Sequence, residues 1–451
     1  MTPQYDAWAR QRIKSGAAAD LSILDISGTE WPLFGSVFYL WATQALQEQY
    51  TQGQLDVDPS RYAGEAVESA YELVMDPNHA GWVRQHWGDD YLIEENAFYR
   101  MLRISALVSH YHLTQSKDDL PTMQTEVDEL VKDIDASPHG LLEDYPYECY
   151  PADVLTAIAA IRRANRILGK DDKEFIQRSI RGFQGDRLDD YGMVPYAADV
   201  NSGFPYGPSR GCGNSYVCLS APELWPEQAK KWYDLYEQHF WQSKWGAVGF
   251  REFAKAEKTG DWYFDVDAGP VIAGHGFAAD AFGVGAALIN GRFDHSFPLI
   301  CEVIAFSWPL PDGTLAIPRF LSNSVEAPYL GEAAILYNLT RSPAPGLSSK
   351  TGGHIPPICY AMLAVYFLPG LLLLASAVRK FRSISSKSAL TYPLEKLQLV
   401  LWVVVVTSSI ISAIVIPLRV TLVLLLFASM LPLGFRRKKK REDEPDAQSA
   451  S

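Results

Sequence analysis

The chain has little with which to cross-link itself. It holds five cysteines (Cys149, Cys212, Cys218, Cys301 and Cys359), irregularly spaced, which excludes a disulfide framework and a structural zinc site. Cys212 and Cys218 could bridge only in an oxidising compartment. Basic charge is also short over most of the length. Residues 379–451 carry 12 of the 40 basic and 5 of the 53 acidic residues, which leaves 28 basic against 48 acidic before them, a net of −20. A domain that acidic does not bind nucleic acid or an anionic membrane face through charge. Period-2 alternation bounded by turn signals is scarce, so no sizeable sheet is expected. Residues 203–218 are rich in glycine but lack the strand-turn-helix context of a nucleotide fingerprint. Neither a cofactor nor a metal is implied. Residues 1–34 show no apolar h-region, so no signal peptide is visible.

What is present is helical periodicity. Apolar residues recur at helical spacing over 35–47, 63–75, 94–113, 120–134, 152–168, 171–181, 221–239, 250–258, 269–289, 293–308 and 326–337. These eleven segments, close to the twelve of six helix pairs and joined by loops of uneven length, predict an all-α domain. Pairs in that number fit an (α/α)6 barrel, or toroid, over residues 1–345, with loops gathered around a central funnel. The apolar part of 28–47 is short and turns amphipathic, which suits a core helix.

The stretch 261–287 reads as the centre of the domain. Asp265 and Asp267 precede a Gly269-Pro270 step and an apolar run spaced by small residues. The sequence predicts a buried helix opening at Pro270, with both carboxylates at its positive N-terminal end facing a cavity. Simple capping and pairing with an arginine would explain the same two aspartates. The second candidate is the loop 143–150, where Glu143, Asp144, Glu148 and Cys149 are flanked by Tyr145, Tyr147 and Tyr150. Carboxylates in an aromatic, partly desolvated pocket gain raised pKa values and act as general acids near neutrality. Tyr145, Tyr147, Tyr206, Arg210 and His275 are the candidates for substrate contact. Solvated acidic loops and a packed core histidine are the plain readings of the same residues.

Three apolar segments close the chain, at 355–378, 397–416 and 420–434. They predict a transmembrane region of two or three helices over 355–435, attached to the lipid bilayer. The basic loop 379–396 and the basic-then-acidic tail 436–451 would be cytoplasmic, and the soluble domain extracytoplasmic. Such a domain needs an export signal, which residues 1–34 do not show.

Residues 93–116, with Glu95-Asn96, and residues 135–168, with the loop starting at Gly140, resemble the linalool dehydratase/isomerase family. So does the D-x-D-x-G of Asp265, Asp267 and Gly269. The resemblance covers about half of the soluble part. It implies the (α/α)6 barrel and acid/base chemistry that adds or removes water at an alkenol. Cys149 matches a family cysteine, the Glu143-Asp144 pair stands where the family has its partner, and Leu102 falls where the family has a histidine. The two acidic loops, read together with this resemblance, predict a hydro-lyase or isomerase with Glu143, Asp144, Cys149, Asp265 and Asp267 as catalytic residues, a loop carboxyl as acid and Asp265 or Asp267 as base. The partner would be a small hydrophobic substrate, and homo-oligomerisation stays open. Two other readings fit the residues: a glycan-processing hydrolase or lyase outside the cytoplasm, and a non-catalytic envelope scaffold or binding module.

Overall fold

The computed structural model describes residues 1–257, 260–308, 314–322 and 325–365, and the single positions 368, 375, 400, 404 and 407. Helix dominates, and the class is all-α. The first half runs α1 (Thr2–Ser15), α2 (Ile26–Thr51), α3 (Pro59–Met75), α4 (Gly81–Trp87), α5 (Ala97–Thr114), α6 (Asp119–Ala136) and α7 (Pro151–Leu168). The second half runs α8 (Lys173–Ser179), α9 (Gly211–Leu224), α10 (Pro226–Phe240), α11 (Phe277–Ile289), α12 (Phe293–Ser307), α13 (Ala316–Leu321) and α14 (Leu330–Leu339). Helix boundaries follow local chemistry. The Asp25 carboxylate accepts from the Gly28 N–H at 3.1 Å and caps α2. Pro59, Pro151 and Pro226 open α3, α7 and α10, where a missing N–H costs nothing. Gly169, in the left-handed region at φ 67°, closes α7.

Six helices pack in a closed circuit: α2 on α5, α5 on α7, α7 on α9, α9 on α11, α11 on α14, and α14 back on α2. The others flank that ring, α3 against α2, α6 against α5 and α7, α10 against α9, and α12 against α11. Small and apolar residues are buried where the ring helices pack; α7 buries Val154, Leu155, Ile158 and Ile161. Met1–Trp308 and Thr314–Ala361 form one compact unit that contains the whole ring. In the other unit, the described residues from 362 onward are helical.

Short antiparallel strands fill the gaps between helices. They are β1 (Ala197–Ala198) with β2 (Pro205–Tyr206), β3 (Trp241–Lys244) with β4 (Ala247–Phe250), and β5 (Trp262–Asp265) with β6 (Gly269–Ile272) and β7 (His275–Gly276). The last group corrects the expected helix over 269–289. Gly269 takes φ 61° opposite Asp265, and the Asp265 carboxylate accepts from the Ala268 N–H at 2.6 Å, so D-x-D-x-G is a hairpin turn. The aromatic and β-branched residues on either side favour extended pairing, and the helix starts only after Gly276. Asp265 and Asp267 therefore sit at a hairpin turn and not at the opening of the helix that follows them. Residues 250–257 also leave the helical pattern, and the expected helix over 221–239 divides, with α9 beginning already at Gly211 and α10 at Pro226. Cys212 and Cys218 are both free, six positions apart on α9.

Integral membrane location is corrected. No helix among the described residues is long and apolar enough to cross a membrane. The longest, α2, turns its apolar faces to α3, α5 and α14, so its hydrophobic length is used inside the protein. The extracytoplasmic placement rested on spans at 355–378, 397–416 and 420–434. Of these segments 355–365, 368, 375, 400, 404 and 407 are described; the remainder, with the tail 436–451, lies outside the described residues.

Candidate active site

A cavity of about 690 Å³ opens inside the ring, and all six ring helices contribute to its wall. Most of that wall is apolar, and part of it is an aromatic belt. Phe34 meets Phe98 edge-on at 5.5 Å and Tyr216 at 6.0 Å, and Tyr216 meets Phe282 at 5.4 Å. This belt holds apolar surface together while offering ring faces to a ligand.

Acidic groups from four separate places reach the same wall: Glu30 on α2, Asp144 and Glu148 on the loop before α7, Asp153 in the first turn of α7, and Asp267 at the hairpin turn. Two tyrosines tie the loop to the hairpin. Tyr150 gives its N–H to both Asp144 oxygens at 3.1 and 2.9 Å and its hydroxyl to Glu148 at 2.5 Å. Its ring lies edge-on to Tyr196 at 5.3 Å, and the Tyr196 hydroxyl donates to Asp267. Asp267 is open to the cavity yet walled by protein on most sides, so it is accessible without being freely solvated.

Electrostatics follow from that crowding. Burial raises the Asp153 carboxyl to about 7, and the charge of Asp267 pushes it the same way. Burial also raises Glu30, helped by Asp267 and Asp153, and Asp144, helped by Asp153. Asp267 is raised by burial and by Asp265, while the Tyr196 hydroxyl and the nearby Arg210 guanidinium hold it back. Four carboxyl groups that repel one another cannot all ionise near neutrality, so protons are shared among them.

A second acidic pair sits elsewhere on the wall. Asp280 accepts from the Phe250 N–H at 2.5 Å, and Glu302 accepts from the Val248 N–H at 2.9 Å. Burial raises both, Glu302 to about 7. His275, on β7 and not on a helix, lines this part, with Nδ1 3.9 Å from Asp280. Burial, aided by Arg251 and Lys244, lowers it to about 4, so its ring is neutral at physiological pH.

Of the candidate site residues named in the sequence, Asp144, Tyr145, Glu148, Tyr150, Asp267 and His275 meet in this wall. The others do not reach it. Glu143 turns away to His86 at 3.1 Å and to the Tyr147 N–H at 2.5 Å. Cys149 is fully buried, its carbonyl accepting from the Ala198 N–H at 2.8 Å. Tyr147, at φ 64° on the tip of its turn, is 84% exposed, and Tyr206 is 77% exposed. Arg210 and Asp265 form an ion pair at 2.7 Å behind the wall. The residues missed are Glu30, Asp153, Tyr196, Asp280 and Glu302. Glu30 carried the one usable signal, a lone carboxylate near the start of the apolar stretch 28–47.

One further cluster, Glu237, Asp294 and His295, has ligand atoms close enough to hold a cation. Arg292 already donates to Glu237 at 2.5 and 2.7 Å and to Asp294 at 2.8 and 2.9 Å, and Lys350 reaches Asp294 at 2.9 Å. Protein cations thus fill that role. No family model matches the chain, and no curated protein does.

Proposed function

We propose that this chain is an acid/base lyase or isomerase of hydro-lyase type, acting on a small, uncharged, largely apolar alcohol inside an (α/α)6 barrel. One observation carries the reading: carboxyl groups from four separate places converge on an aromatic cavity within a ring of six helices. The resemblance of 93–116, 135–168 and the D-x-D-x-G to the linalool dehydratase/isomerase family points the same way, and the closed circuit of ring helices with outer partners supports the barrel.

The two central carboxyls have unlike surroundings, which divides the roles. Asp153 has no charge-stabilising donor among the described residues and keeps its proton to about pH 7, so it protonates the departing hydroxyl. Asp267, held by Tyr196 and near Arg210, is the ionised partner that takes a proton from the adjacent carbon. Water leaves and an alkene forms; re-addition at the other end of an allylic system gives the isomer. The belt of Phe34, Phe98, Tyr216 and Phe282 excludes bulk water and offers ring faces to positive charge developing on carbon.

Glycan processing is the second reading. Trp245, 70% exposed on the cavity rim, lies 6.1 Å from Trp262, 67% exposed, and such a pair stacks on sugar rings. A single panel separates the two. Purified protein is incubated with allylic and tertiary alkenols and with oligosaccharides, and products are read by gas chromatography and mass spectrometry. Alkene formation or alcohol rearrangement that D153N and D267N each abolish supports the lyase. Oligosaccharide cleavage with inert alkenols overturns it.

A further inference from the structure

One cavity group has no part in the chemistry above. Cys212, at the second position of α9, faces the cavity with 7% of its surface exposed. Its thiol donates to Glu252 Oε1 at 3.1 Å, and its backbone N–H donates to Glu252 Oε2 at 3.1 Å. Glu252 is fully buried, and its charge is matched by Arg210, whose Nε donates to the same Oε1 at 2.6 Å. Arg210 is itself fixed by Asp265 and by stacking on Tyr196 at 4.4 Å. The approach is built on Gly211, where a Cβ would lie 1.9 Å from the Arg251 carbonyl oxygen.

The arrangement contains the parts of an activated thiol: a base in contact, a cation fixing the base, and a helix first turn beside the sulfur. Burial pushes the Cys212 thiol up, so it rests protonated. Glu252 lies at about 6, raised by burial and held down by Arg210, and is ionised at neutral pH. Among the other cysteines, Cys149, Cys218 and Cys359 are buried away from the cavity wall, and Cys301 is partly exposed.

We propose that Cys212 captures an apolar α,β-unsaturated carbonyl compound in the cavity by reversible addition, with Glu252 as base. Glu252 accepts the thiol proton as Sγ bonds to the β-carbon. The C=C π pair moves to the α-carbon and carbonyl oxygen as an enolate. The proton then passes from Glu252 to the α-carbon. The sum is addition of S–H across C=C, with nothing oxidised or reduced, and the reverse releases the ligand intact. The class follows from the site: sulfur favours a soft carbon electrophile, and the aromatic belt favours an apolar body. The capture step does not depend on Asp153 or Asp267.

The test uses the full chain with trans-2-octenal, borohydride to fix the adduct, and peptide mapping by mass spectrometry. Cys212 should be modified about tenfold or more faster than Cys301, and E252Q should slow Cys212 about tenfold while leaving Cys301 unchanged. In the wild type the rate at Cys212 should rise through about pH 6, as Glu252 ionises, which keeps the test independent of whether E252Q folds. An adduct on Cys301 with Cys212 intact overturns the proposal. So does a Cys212 rate unchanged in folded E252Q, or one that rises only above about pH 8 as for an unassisted thiol.

Discussion

Tyr196 donates its hydroxyl hydrogen to Asp267 across 71 positions of sequence. Because Tyr196 also meets Tyr150 edge-on, this bond joins the loop before α7 to the hairpin of β5 and β6 at the cavity wall. The donor favours the charged form of Asp267 while Asp153 keeps its proton.

Replacing Tyr196 by Phe removes that donor. Asp267 should then titrate at higher pH, and fewer molecules would hold it ionised at neutrality. We expect turnover of an alkenol to fall about tenfold at neutral pH and to recover partly on the alkaline side. A pH–rate profile of Y196F checks this; an unchanged profile would mean that Tyr196 does not tune Asp267.

Asp153 also gives a stability prediction with a definite sign. Its folded value of about 7 stands above the unfolded value of about 3.9, so the folded state binds the proton more tightly. Its contribution is fully present below the unfolded value and is lost as pH rises through about 7. D153N should therefore gain on the wild type between about pH 4 and 7, by on the order of 2 kcal/mol, discounted for cavity water. Urea unfolding at about pH 5 and pH 8 measures it. An equal difference at both would show that Asp153 is not perturbed.

Much of this was readable from periodicity. Apolar spacing located α3, α5, α6, α7 and α12; in α6, for example, Met123, Val127, Leu130 and Ile134 recur at helical spacing and are buried. The segment 261–276 misled because small residues that pack a helix closely also build tight hairpins, and the left-handed positions Gly269, Ala273 and Gly274 decide between them. Asp153 was hidden for a different reason. An acidic residue in a helix first turn is the ordinary complement to the helix dipole, and nothing local distinguishes one that faces a cavity. Tyr196 was equally silent, since its partner lies in a distant hairpin.

Two glycines on one helix should behave oppositely. A Cβ on Gly211 would meet the Arg251 carbonyl oxygen at 1.9 Å, whereas a Cβ on Gly213 meets nothing within 4 Å. G211A should cost about 3 kcal/mol or more, because backbone must move. G213A, inside α9, should be neutral or stabilising by up to about 1 kcal/mol. Urea midpoints compare them directly, and similar losses in both would contradict the tight approach at Gly211.

Arg210 supports two acids at once, Glu252 at 2.6 Å and Asp265 at 2.7 Å. R210M leaves the fully buried Glu252 without its cation and should lose about 3–5 kcal/mol. R210K should rescue only part of this, since one ammonium cannot reproduce the planar fork that spans both carboxylates. Thermal unfolding of both variants tests the bridge; full rescue by lysine would refute it.

The lyase reading depends on a proton retained among the cavity carboxyls near neutrality. Infrared difference spectroscopy of the full chain, comparing wild type with D153N at about pH 6.5, reads that proton as the C=O band of an un-ionised carboxylic acid. The band should persist in the wild type and shrink in D153N. A wild-type spectrum with no such band above about pH 5 would contradict the shared proton and the chemistry built on it.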